Sequence, residues 1–102
     1  MTSKWEEICP ADEIPTGTVK KFELGNLDIL IVHSGNKFYA CSCECPEGGE
    51  SLEECEIHGH VLACIEHGCK MDISNGKCLT EGELEIAIFR VEVRDDKIWV
   101  KI

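Results

Sequence analysis

The chain has 102 residues, with 20 Asp and Glu against 10 Lys and Arg, so its formal net charge is −10 with its 4 His neutral. The length and a hydrophobic content of 43% predict one domain over residues 1–102. A domain of this size recovers only about 60–70% of its unfolded surface on folding, so a metal or disulfide staple is a common complement. The acidity excludes nucleic acid and anionic membrane surfaces as partners, because the phosphate term that dominates such contacts would be repulsive. The start, Met1-Thr2-Ser3-Lys4-Trp5-Glu6-Glu7, lacks the basic residues and apolar run of a leader, and no apolar stretch has membrane-helix length; a cytoplasmic protein is expected.

In chain order, Ala11-Asp12-Glu13-Ile14 carries a weak helical signal that Pro15 ends. Asp28-Ile29-Leu30-Ile31-Val32-His33 is apolar and β-branched, Ser34-Gly35-Asn36 is a turn, and Lys37-Phe38-Tyr39-Ala40-Cys41 returns, which predicts a hairpin with one face in the core. His33, at the end of its strand, is expected on the surface. The Glu-rich run from Glu50 to Glu56 is too short and too charged for a helix, and His58-Gly59-His60 forms a turn into Val61-Leu62-Ala63. Met71-Asp72-Ile73 leads to the turn Ser74-Asn75-Gly76. A closing hairpin alternates Val91 and Val93 with Glu92 and Arg94, turns at Asp95-Asp96, and alternates Ile98, Val100 and Ile102 with Trp99 and Lys101, again with one face in the core. The fold class is all-β, a small antiparallel barrel or sandwich.

Chemistry concentrates in the 8 Cys. In a reducing compartment clustered cysteines point to metal ligation or redox work rather than to bridges. Cys41, Cys43 and Cys45 alternate up to Pro46, and Cys64, His67 and Cys69 form a second knot, each knot at the end of a strand. Burial as small hydrophobes suits Cys41 and Cys78 but not the whole set.

These knots resemble the two loops of Rieske-type ferredoxins. Cys64-Ile65-Glu66-His67-Gly68 matches the Cys-x-x-His-Gly loop, and Cys45-Pro46, followed by Glu47, Gly48, Gly49 and Leu52, matches the Cys-Pro-His loop except that Glu47 stands where the His should be. The 16 residues between Glu47 and Cys64 fall within the usual gap. Trp5 and Pro15-Thr16-Gly17 match the start, and Phe89-Arg90-Val91-Glu92-Val93 with Ile98-Trp99-Val100 match the closing strands, so the likeness spans nearly the whole chain. Thr80-Glu81-Gly82-Glu83 lacks the Pro that the family places over its cluster.

The resemblance implies a Rieske-like antiparallel β sandwich whose small subdomain presents loops at about 43–50 and 64–71 and binds a 2Fe-2S cluster. It assigns Cys45 and Cys64 to the inner iron and His67 to the outer one. For the fourth ligand three readings stand: the Glu47 carboxylate, a thiolate from Cys43 or Cys69, or a shift of the first loop to Cys43 and Cys45. Zinc on the same N and S donors, or no metal, is a further alternative. The implied function is one-electron carriage between a flavin reductase and an oxygenase or similar component, by a monomer that is not itself an enzyme. A metal-free or zinc-structured scaffold subunit is the rival, and a thiol switch on Cys41, Cys43 or Cys45 a third possibility. From Phe38 to Cys69 there is no Lys or Arg but seven acids, Glu44, Glu47, Glu50, Glu53, Glu54, Glu56 and Glu66, which predicts an acidic docking face around the loops.

Overall fold

A computed structural model describes residues 4–25, 27–43, 55–64, 70–80 and 85–102. Among these the elements are β1 (Trp5–Pro10), a 3-10 turn (Ala11–Glu13), β2 (Thr18–Leu24), β3 (Leu27–Ser34), β4 (Lys37–Ser42), β5 (Glu56–His58), β6 (Val61–Ala63), β7 (Lys70–Asp72), β8 (Ile88–Arg94) and β9 (Lys97–Lys101). They form an antiparallel sheet in the order β1-β9-β8-β4-β3-β2 and a small sheet in the order β5-β6-β7. No helix among the described residues is long and apolar enough to cross a membrane.

The all-β expectation holds, and its two hairpins are present. β3 and β4 pair in register from Ile29↔Ser42 to Ser34↔Lys37 around Gly35-Asn36, with Gly35 at φ +61, the left-handed value that a glycine-first two-residue turn uses. β8 and β9 close through Arg94↔Lys97, and Asp95 and Asp96 both take positive φ, 51 and 63, which is the type I′ pattern whose twist suits the flanking strands.

The first hairpin departs from expectation in being covered on both faces. Ile29, Ile31 and Ala40 point into a cluster with Cys9, Ile14, Ile98 and Val100, whereas Leu30, Val32 and Cys41 point the other way into a cluster with Leu62, Met71 and Ile73. The pairing of β4 with β8 is short, Ala40↔Phe89 and Cys41↔Ile88, and there the six-stranded sheet curls so that its two halves close over the first cluster. The small sheet covers the other face. A continuous apolar run rather than an alternating one is the corresponding signal.

The second hairpin is one-sided as predicted, but less fully than its pattern implies. Ile98 and Val100 are completely buried, Val91 packs beside them, and Val93 and Ile102 are exposed at 51% and 36%. On its outer face the Arg94 guanidinium lies 4.8 Å from the Trp5 ring and 5.8 Å from the Trp99 ring, while its Nε donates to Glu92 at 2.7 Å. This cation–π arrangement joins the chain's two ends and contributes about 0.5–1 kcal/mol at such an exposed site.

His33 is half-buried rather than on the surface. Its Nδ1 donates to the Ile14 carbonyl at 2.7 Å and its ring stacks on Phe38, with centroids 3.9 Å apart, so it ties the end of β3 to the segment after the 3-10 turn. Replacing Ile31 by Ala is expected to cost about 2–5 kcal/mol in chemical denaturation, because the site is sealed by the closed sheet. Val93→Ala is expected to stay within about 0.5 kcal/mol.

Candidate metal centre

The base of the site is a block of short strands locked together by backbone hydrogen bonds. β6 lies between its neighbours in the registers Ile57↔Leu62 and Leu62↔Met71. β7 is flanked in turn by the antiparallel bridge Met71↔Cys78, and the Leu79 amide donates to the Lys70 carbonyl at 2.7 Å. The Ile86 amide donates to the Gly76 carbonyl at 2.7 Å, and the Ser42 amide to the Ala87 carbonyl at 2.9 Å, which carries the connection across to β4. The small sheet is thereby fastened to the large one.

Gly76 is required at the centre of that connection. It has φ +83, and a Cβ there would lie 2.4 Å from the Ile86 carbonyl oxygen, so any side chain would force the two segments apart. The Asn75-Gly76 signal in the sequence marks the turn, but the close approach to Ile86 is a tertiary fact.

The segments that carry the predicted ligands leave from this block. Cys43 follows the end of β4, and Cys55 precedes β5, so they bracket residues 44–54; Cys64 follows β6, and the paired Ala63 and Lys70 bracket residues 64–69. Of the second predicted loop, Lys70 and Met71 therefore belong to β7. Cys43 and Cys64 are 4% and 7% exposed and pack into one cluster with Leu30, Val32, Cys41, Leu62, Cys78 and Ile86. Cys45, Glu47, His67 and Cys69 lie outside the described residues, as do the acids of the predicted face other than Glu56.

The local electrostatics follow from the apolar packing. Burial pushes the Cys41 thiol up to about 12, with Cys43 and Cys55 adding to the effect, so Cys41 stays a neutral thiol at physiological pH. Cys41 and Cys78 behave as the small buried hydrophobes that the sequence suggested, and Cys78 Sγ lies 3.2 Å from Thr80 Oγ1. His58 and His60 flank the Gly59 turn as predicted, His58 on Glu56 at 3.1 Å and His60 on Asp72 at 3.5 Å.

Asp72 braces the turn that follows β7, a role that sequence reasoning missed although Asp72-x-Ser74 is a common turn pattern. Its Oδ1 accepts from the Ser74 amide at 2.9 Å and from the Ser74 hydroxyl at 2.5 Å. Burial would raise its carboxyl, but these bonds, the His60 ring and the Asn75 amide outweigh it and hold the group below the usual carboxylate range. A group lowered on folding stabilises the native state above its unfolded value, near pH ~4, and ceases to do so as pH falls through the folded value. Asp72→Asn is accordingly expected to melt at a lower temperature than the parent at pH 7 and to converge with it in acid, read by thermal scans across pH.

Comparison with known proteins agrees with this architecture. Ferredoxin CarAc of Metapseudomonas resinovorans is 26% identical over 102 residues, covering 98% of this chain and 95% of that protein. A chain in the complex of reduced oxygenase and oxidized ferredoxin in carbazole 1,9a-dioxygenase superposes with a TM-score of 0.85 at 26% identity, covering 94% of this chain and 91% of that one. The Escherichia coli protein NirD shares the fold, with a TM-score of 0.87 at 20% identity over 99% of this chain and 98% of its own. The Rieske-like [2Fe-2S] domain family matches residues 4–101, and the chain belongs to that family.

Proposed function

We propose that the protein is a one-electron carrier that passes electrons from a flavin reductase to an oxygenase or similar terminal component, as a monomer in the cytoplasm and without being an enzyme itself. The observation that carries this reading is that Cys43 and Cys64, at the roots of the two motif-bearing segments, pack into one buried cluster. Likeness to the ferredoxin CarAc and to a chain of the oxygenase–ferredoxin complex supports the partner class.

The donor set suits a 2Fe-2S cluster. In this reading Cys45 and Cys64 hold one iron and His67 the other, with Glu47 in the place of the second imidazole and Cys43 or Cys69 as the thiols that could replace it. The cluster supplies single-electron exchange at a potential set by ligand charge, hydrogen bonds and exposure. The apolar block beneath Cys64 contributes rigidity and low polarity, which limit reorganisation when charge changes at the site. The acids between Phe38 and Cys69, Glu56 exposed among them, steer the carrier toward basic partner surfaces. Glu47 is also the feature that favours the rival, a scaffold subunit with zinc or no metal on the remaining donors.

Protein purified without air is expected to be red-brown, with near-equal iron and acid-labile sulfide and a rhombic EPR signal on reduction. Colourless protein holding zinc or no metal would establish the scaffold. Glu47→His is expected to raise the reduction potential, since a neutral imidazole replaces a carboxylate, whereas an unchanged potential would favour a Cys ligand or an unligated Glu47. Electron transfer to the partner is expected to slow steeply as salt rises; a flat profile would remove the steering argument.

A further inference from the structure

The outer face of the closing hairpin takes no part in the metal centre. The register of β1, β9 and β8 sets its side chains in three rows: Trp5, Lys101 and Arg90; Glu7, Trp99 and Glu92; Pro10, Lys97 and Arg94. The opposite face of the same strands holds Ile98 and Val100 in the core. Arg90, Glu92, Arg94 and Lys97 are exposed and both Trp are half-buried, so no described element lies over the outer face. The chain's 2 Trp are both here, joined by the Arg94 guanidinium.

Charge on this face runs against that of the molecule. Its three rows carry four cations and two carboxylates, in a chain of net charge −10. Both carboxylates are engaged, Glu92 by Arg94 and Glu7 by Lys97 at 3.7 Å. Glu6 alternates to the other face, and Asp95 and Asp96 sit in the turn beyond the last row. Arg90 and Lys101 therefore stand directly opposite each other on β8 and β9, beside Trp5, with no described carboxylate paired to either. Like charges in facing positions on a sheet oppose folding, so an incoming carboxylate relieves a repulsion as well as accepting charge-assisted hydrogen bonds.

The overall acidity selects the occupant. A membrane, a nucleic acid or a second copy of this chain presents extended negative charge and meets the repulsion of the whole molecule. A short acidic segment meets mainly the local face, because charges further than a Debye length of about 10 Å are screened at ~0.1 M salt. Trp and Arg are also the side chains that anchor protein interfaces. We infer that the outer face of β1, β9 and β8 docks a short acidic segment of a partner protein, its carboxylates on Arg90 and Lys101 and its apolar side chains on Trp5 and Trp99. The surface is distinct from the acidic stretch between Phe38 and Cys69, and the inference stands whether or not the metal centre holds a cluster.

The test titrates a short synthetic peptide of Glu and Leu, without Trp, into the full chain at ~0.1 M salt, followed by calorimetry and by Trp fluorescence, which reports on this face alone. Wild type is expected to bind with a change in the Trp signal, and the matching Lys and Leu peptide to leave that signal unchanged. Arg90→Glu and Lys101→Glu are each expected to weaken binding about tenfold. Either reversal puts opposite charges across the two strands, so neither variant is expected to melt below wild type, which separates lost binding from lost folding. Lys37→Glu makes the same charge change at the exposed β3-β4 turn and is expected to bind as wild type does. No Trp response in wild type, or equal weakening by Lys37→Glu, would overturn the inference. So would self-association in sedimentation, or retention on phosphatidylserine vesicles, that Arg90→Glu abolishes, since these would give the face to a second copy or to a membrane.

Discussion

The burial of β3 from both sides is the constraint on which the rest of the structure depends. Four consecutive residues, Ile29 to Val32, are fully buried, so each face of the strand needs its own cover. Ile29 and Ile31 obtain it from β1 and β9 when the large sheet curls, and Leu30 and Val32 obtain it from the small sheet. Each fully buried aliphatic side chain contributes about 1.5–3 kcal/mol relative to exposure, enough for the run to dictate the layering of a chain this small. The small sheet has only three-residue strands, and it is ordered because β3 and β4 present an apolar face that it must cover.

That arrangement also explains why the motif segments start where they do. Cys43 leaves the end of the buried hairpin and Cys64 the central strand of the small sheet, so both roots are at the junction of the two layers. The junction is held by backbone hydrogen bonds rather than by side chains alone, through Gly76, Ile86, Ala87 and Ser42. A centre built on such roots inherits their rigidity, which is what an electron carrier needs if its geometry is to change little between oxidation states.

Charge is uneven along the chain but is not divided between the two sheets, since Lys70 and Lys77 lie in or beside β7 and Glu6, Glu7, Glu92, Asp95 and Asp96 lie in or beside the β1-β9-β8 half. Every Lys and Arg lies outside the stretch from Phe38 to Cys69, and Lys4, Arg90, Arg94, Lys97 and Lys101 lie in or beside the β1-β9-β8 half. Surface pairs such as Lys20 with Glu13 and Lys97 with Glu7 are exposed and contribute little to stability. The absence of Lys and Arg from that stretch matters for how the molecule meets other charged surfaces rather than for how it folds.

The sequence by itself determined the all-β class, the hairpins around Gly35-Asn36 and Asp95-Asp96, and the turns at Gly59 and Asn75-Gly76, because turn chemistry is local. Outside the described residues Cys45, Glu47, His67 and Cys69 rest on the motif alone. It did not disclose β1 and β2, whose solvated edges place Glu6, Glu7, Lys20 and Lys21 among the apolar residues and hide the alternation. Nor did it disclose β5, whose Glu56 and His58 point outward at the end of a Glu-rich run. The tertiary structure alone decided that β3 is covered twice, that His33 is held by the Ile14 carbonyl, that Gly76 must approach Ile86, and that Cys43 shares a buried cluster with Cys64. All four bring together residues distant in sequence, and a local pattern carries no information about which distant surface will cover it.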